Sequence, residues 1–135
     1  FTDMGLRNAR LNFRQLEETH AMENVIFNEL KLRGFNVDVG VIEINSTNEK
    51  GNRVRKQLEI DFVCNKGSRR YYIQSAYAMP DQVKMEQEQR SLMLTGDAFK
   101  KIIITKDAPE SYYNEDGVLV MNIFDFLLDE NMLNY

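Results

Sequence analysis

The sequence predicts an α/β fold around one mixed sheet. A three-strand antiparallel meander leads through a crossover helix to a parallel strand, and helices flank the sheet. Three observations carry this reading. Leu58, Ile60, Phe62 and Cys64 alternate with Gln57, Glu59, Asp61 and Val63, and a second β-rich run, Arg69 to Ala76, follows Asn65-Lys66-Gly67-Ser68. Apolar residues recur at helical spacing before this hairpin. Beyond it, Ile102-Ile103-Ile104 reads as a buried parallel strand.

Residues 1–14 hold Leu6, Leu11 and Phe13 among polar residues and support no firm element. The chain lacks an initiator Met and is expected to be a piece of a longer protein. From about Glu17 to Arg33, the residues Met22, Val25, Ile26, Phe27, Leu30 and Leu32 make a helical stripe. Thr19 is its expected N-cap and Gly34 its C′ residue. Phe35 to Ile44 alternates as a strand, and Asn45 to Asn52 is read as a loop. Pro80 is placed at the start of a polar helix over Gln82 to Leu94, where Glu86 and Arg90 are spaced to pair. Lys101 to Thr105 and Val118 to Met121 are strands, with a loop over Asp107 to Gly117. Asn122 caps a short last helix, Ile123 to Leu128.

With 135 residues, the chain can bury one real core. It is 43% hydrophobic and 28% charged, which excludes a disordered chain. No apolar run reaches the length of a membrane span, and no apolar stretch follows the first residues as in a signal peptide. A single cysteine excludes an internal disulfide and suits a reducing compartment, so a cytoplasmic setting is expected. The net charge of −4 argues against a uniformly basic nucleic-acid binder.

The hairpin places the chemistry. With its turn centred between Gly67 and Ser68, Asp61 falls opposite Gln74 and Glu59 opposite Ala76, all on one face. Asp61, Gln74 across the hairpin and Glu23 on the first helix form a workable set of oxygen ligands for Mg²⁺. Such an ion would activate water for phosphodiester hydrolysis.

Glu23 on a helix, the Gly34-Phe35-x-Val37 start of a strand, and Glu59-Ile60-Asp61-Phe62 together resemble the PD-(D/E)xK, or restriction-endonuclease-like, superfamily. The helix and its Gly-Phe turn are similar to those of archaeal Holliday junction resolvases. Phe1-Thr2-Asp3-x-Gly5-Leu6-Arg7-Asn8-Ala9, Met22-Glu23-Asn24, Glu59-Ile60-Asp61-Phe62-Val63 and Tyr72-Ile73-Gln74 carry a resemblance over most of the chain. They look like the C-terminal domain of a family of prokaryotic AAA-type ATPases, in which a P-loop core and a winged helix precede a nuclease-like domain of unknown function. The resemblance implies that residues 1–16 connect to an upstream winged-helix and ATPase region and that 17–135 form the nuclease-like domain. ATP would belong to the upstream part alone, since no P-loop motif occurs here.

The pattern breaks at its third position. Gln74 stands where the superfamily has an acid, and Ala76 where it has lysine. Losing one preorganised charge-stabilising group commonly costs about 10²–10³ in rate. Lys84 and Lys56 are the candidates to replace that lysine. The expected function is therefore an accessory domain with a degenerate, inactive site. It would bind DNA or protein beside its ATPase core, and no membrane. The alternatives are a Mg²⁺-dependent nuclease using Glu23, Asp61 and Gln74, and an oligomerisation or docking module.

Plainer readings stand beside each feature. Asp61 and Glu59 fit a solvated sheet face, and Glu23 fits a helix surface. His20 fits the start of the helix, and Cys64 a buried small hydrophobe. Met79, Met85 and Met93 fit core packing. Lys50, Arg53, Arg55 and Lys56 lie at the opposite end of the strands from Lys66, Arg69 and Arg70, so the two basic groups do not merge.

Overall fold

The computed structural model describes the backbone of residues 4–79, 81–131 and 133, and side chains from residue 16 onward. The elements are α1 (Met4–Leu32), β1 (Asn36–Thr47), β2 (Arg53–Lys66), β3 (Arg69–Ala76), α2 (Gln82–Met93), β4 (Lys100–Thr105), β5 (Tyr112–Tyr113), β6 (Leu119–Asn122) and α3 (Ile123–Leu128). The six strands form one sheet in the order β1-β2-β3-β4-β6-β5. The pairs β1–β2, β2–β3 and β5–β6 are antiparallel, while β3–β4 and β4–β6 are parallel. The α/β class, the meander and the parallel strand after a crossover helix are as the sequence implies.

The first helix is longer than its periodicity indicates. It begins at Met4, so Thr19 is not its N-cap and His20 lies in mid-helix. The boundary drawn at 16/17 falls within one unbroken helix. No Gly or Pro interrupts residues 6–33, so nothing stops helix propagation there. Its C-terminus closes as expected. Gly34 has φ 88°, its N–H donates to the Lys31 carbonyl, and the Phe35 N–H donates to the Leu30 carbonyl. These are the two hydrogen bonds of a Schellman cap, and Phe35 and Leu30 share a core.

Both strands of the first hairpin run further than alternation suggests. The loop read over 45–52 shrinks to about 48–52, because Ser46 pairs with Val54 and Thr47 with Arg53. The second turn is as expected. Lys66 pairs with Arg69 around Gly67-Ser68, and Gly67 takes φ 61° as the first residue of a II′-type hairpin turn.

The expectation that Leu58, Ile60, Phe62 and Cys64 share one buried face fails. Between the pairs Asp38–Val63 and Gly40–Ile60, β1 advances two residues and β2 three. This is a β-bulge, and it exchanges the faces of β2. Phe62 and Cys64 join the core under α1 and α3, with Ile26, Leu30, Ile73 and Phe126. Ile60 and Val63 join the core under α2, with Tyr72, Leu92 and Ile103.

Smaller differences follow from local chemistry. Asp81 caps α2 by accepting from the Lys84 N–H at 2.9 Å, and Pro80 lies outside the described residues. Asn122 caps α3 by accepting from the Phe124 N–H at 2.8 Å. The region read as a loop over 107–117 contains β5. Its return is fixed by Asn114, whose side-chain oxygen accepts from the N–H groups of Asp116 and Val118. Met79 and Met85 pack against the α2 core, whereas Met93 is exposed. Among the described residues, no helix is long and apolar enough to cross a membrane.

Gly40 sits opposite the bulge. A Cβ there would lie 2.7 Å from Val63 Cγ2 and 3.2 Å from Ile60 Cβ. Both neighbours are β-branched and held in a strand, so neither swings aside freely. Gly40→Ala is expected to lower the free energy of unfolding by about 1–3 kcal/mol. Urea unfolding checks this, and an unchanged midpoint would contradict the close approach.

Candidate functional site

The bulge prevents the β2–β3 ladder from continuing past Phe62–Ile73. Beyond that pair, side chains replace backbone partners. The Asp61 N–H donates to Gln74 Oε1 at 2.7 Å, and the Ser75 N–H donates to Asp61 Oδ2 at 2.9 Å. Each strand therefore satisfies a backbone donor with a side chain from the other. Asp61 and Gln74 do meet across the strands. Glu59 does not pair with Ala76, because the ladder has already ended.

Gln74 is buried and held from its far side as well. Its Nε2 donates to Ser91 Oγ at 3.1 Å and to the Glu88 carbonyl at 3.3 Å, both on α2. Reversing the amide would turn NH₂ toward the Asp61 N–H and oxygen toward a carbonyl. The network therefore fixes the orientation. Ser91 and Glu88 could not be anticipated here, because their helix is placed by tertiary packing.

Asp61 is the carboxyl here whose protonation is clearly shifted. Burial pushes its carboxyl up from an ordinary 3.8 to about 6. The Ser75 N–H opposes that shift, while the charges of Glu23, Glu88 and Glu59 add to it, in that order. Glu23 on α1 enters only as one of these charges. Glu88 is an acid that sequence reasoning missed. Its carboxylate is paired to Lys84 Nζ at 2.9 Å, so the pair seen on α2 is Lys84–Glu88, where the spacing suggested Glu86–Arg90.

The candidate lysines separate clearly. Lys84 reaches the acidic neighbourhood only through Glu88. Lys56 is exposed and pairs with Ile44, five residues and about 17 Å along β2 from Asp61. Ala76 is 3% exposed and packs with the α2 core, so apolar side chains surround the place where the motif's lysine would stand. His20 is exposed on α1. Cys64 is fully buried, and burial pushes its thiol up to about 12, which makes it an inert core residue.

These residues do not fit the Mg²⁺ site that the superfamily pattern implies. The oxygen of Gln74 is taken by the backbone N–H of Asp61, and its NH₂ by α2. Among the described residues, no three His, Cys, Asp or Glu side chains are grouped to hold a metal ion. The adjoining cleft, lined by Leu58, Glu59, Gln74, Gln87, Arg90 and Ser91, has a volume near 230 Å³ and does not include Asp61. That is below the usual range for enclosing a nucleotide-sized ligand.

No family model matches the chain, and no solved structure matches it. It is similar to an uncharacterized protein of Haemophilus influenzae, with 31% identity over 129 residues. That match covers 93% of this chain and 27% of the relative, so the chain spans about a quarter of the relative's length.

The Asp61 environment sets a pH dependence. The folded state keeps its proton up to about pH 6, whereas the unfolded chain releases it near 3.8. Between those values the folded state binds more protons, so this group's contribution to stability falls as pH rises. Asp61→Asn is expected to be about 1–2 kcal/mol more stable than the parent at pH 7. That is less than the shift alone implies, because the group keeps some solvent. The difference should nearly vanish at pH 4. Thermal melts of both proteins at the two pH values give the answer, and a variant less stable than the parent at pH 7 would reverse the assigned cause.

Proposed function

We propose that this chain is a non-catalytic interaction domain with a restriction-endonuclease-like fold, the C-terminal accessory domain of an AAA-type ATPase. One observation supports it above the others. Asp61 and Gln74 close on each other through backbone N–H groups instead of opening toward a shared metal. The burial of Ala76 supports the same reading, since no cation stands at the motif's third position. The order of helix, antiparallel meander, crossover helix and parallel strand agrees with the proposed fold. The length of the relative beyond the matched part leaves room for an ATPase core in a protein of that kind. ATP binding and any partner core would then belong to the longer protein, in the cytoplasm.

A metal-dependent nuclease is the second reading, and one observation favours it. Glu23, Glu59 and Glu88 all act on Asp61, and such negative potential attracts divalent cations. A docking module is the third. Val39 and Val41 on the edge strand β1 are exposed and suit strand addition by another chain.

Calorimetric titration with Mg²⁺ or Mn²⁺ is expected to give no heat that Asp61→Ala removes. Duplex, forked and single-stranded DNA should remain uncut in 10-fold molar excess of protein with either metal. Metal-dependent cleavage lost in Asp61→Ala would defeat the non-catalytic reading.

A further inference from the structure

The β1–β2 ribbon continues past the rest of the sheet. Its register runs from Gly40–Ile60 out to Thr47–Arg53, while β3 pairs with β2 only over residues 62–66. Ile42 still packs on the α2 core and Leu58 lines the α2 cleft, and from Glu43–Gln57 to the tip the two strands extend beyond the sheet as an arm about 15 Å long. The tip is ordered. Asn48 Oδ1 accepts from the N–H groups of Lys50 and Asn52 at 3.0 and 2.9 Å, and the Asn48 N–H donates to the Asn52 carbonyl at 2.9 Å.

Charge is concentrated there. Residues 44–56 carry Lys50, Arg53, Arg55 and Lys56 against the single acid Glu49, in a chain whose net charge is −4. All four cations are exposed. The pleat also sorts the side chains. Thr47–Arg53 and Asn45–Arg55 are neighbouring pairs on one face, and Ser46–Val54 and Ile44–Lys56 lie on the other. The first face thus presents two guanidinium groups beside an amide and a hydroxyl. These are the groups that bond to base edges and phosphates. Toward the base of the arm this face ends in Glu43 and Glu59, so the polyanion-binding part is the outer half.

We propose that this arm is a duplex DNA-binding element that lies in the major groove. A two-stranded ribbon fits the roughly 12 Å groove of B-form DNA and not the deep, narrow one of A-form RNA. Arg53 and Arg55 supply the contacts on the reading face, and Lys50 and Lys56 neutralise flanking phosphates. The inference rests on the reading of this domain as an interaction domain and names DNA as what it holds. It does not use Asp61 or Gln74. A basic arm could also serve only to keep an exposed ribbon from pairing with other chains, and the test separates the two roles.

The test measures anisotropy of a labelled 20-base-pair duplex with the 135-residue chain in EDTA, so that binding is read apart from any cleavage. Duplex binding is expected, with double-stranded RNA at least tenfold weaker. Arg53→Ala/Arg55→Ala should weaken duplex binding at least about tenfold and reduce the slope of log K against log salt by about 2. Arg53→Lys/Arg55→Lys keeps the charge and the fold, and should preserve the slope while losing discrimination between duplex sequences. Lys31→Ala/Arg69→Ala, which removes two exposed cations elsewhere, should stay within twofold of the parent. Circular dichroism confirms that each variant is folded. No duplex binding, or binding that the arm variants leave unchanged, overturns the arm proposal and leaves the non-catalytic reading intact. A change of oligomeric state in place of DNA affinity assigns the arm to protein contact and overturns it as well.

Discussion

One extra residue in β2, between Ile60 and Val63, organises this molecule. A bulge is a local event, but here it separates three regions. On one side, β2 pairs with β3 and its apolar side chains feed both cores. On the other, β2 keeps only β1 as a partner and leaves the sheet as a ribbon. At the bulge itself the ladder hydrogen bonds are missing, and buried backbone donors cannot be left unpaired without cost. Asp61 and Gln74 supply the missing acceptors. Gly40 allows the close approach of β1 to the bulged strand that this arrangement needs.

How much of this could be read from the sequence depends on the range of the interaction. Local signals worked where one residue fixes one geometry. Gly67 set the hairpin turn, and counting outward from it placed Asp61 against Gln74. Gly34 ended α1, and Asn122 began α3. The start of α1 was hidden because a helix needs no apolar stripe to continue, only the absence of a breaker. The bulge was hidden because Leu58, Ile60, Phe62 and Cys64 keep apolar residues at every second position through it. Two residues did carry a trace: Val63 is apolar where the pattern calls for a polar residue, and Gly40 interrupts a strand at a position where it offers no side chain to pack.

The candidate site was legible as a place and not as a chemistry. The meeting of Asp61 and Gln74 follows from register, which is local. The direction of the Gln74 amide follows from Ser91 and the Glu88 carbonyl, contributed by a helix that begins beyond β3. No pattern within a strand could indicate that helix's rotation. Glu88 entered unseen for the same reason, together with its partner Lys84. Ala76 was read as standing where the resembled motif has lysine, and only the packed structure shows that Leu92, Ile103 and Tyr72 share its core.

That packing also explains why glutamine suits position 74 better than the acid of the motif it resembles. The pocket offers one backbone donor, from Asp61, and two acceptors, the Glu88 carbonyl and Ser91 Oγ. An amide matches that set with one oxygen and one NH₂. A carboxylate would present oxygen to the Glu88 carbonyl and place a second negative charge beside Asp61, whose ionisation burial already opposes. The fit of this amide therefore rests on three elements at once: the bulged strand that offers the Asp61 N–H, the strand that carries Gln74, and the helix that supplies its acceptors. Gln74→Glu would therefore bring a second charge into a pocket whose acceptors and burial oppose it, and the amide holds its place there through structure alone.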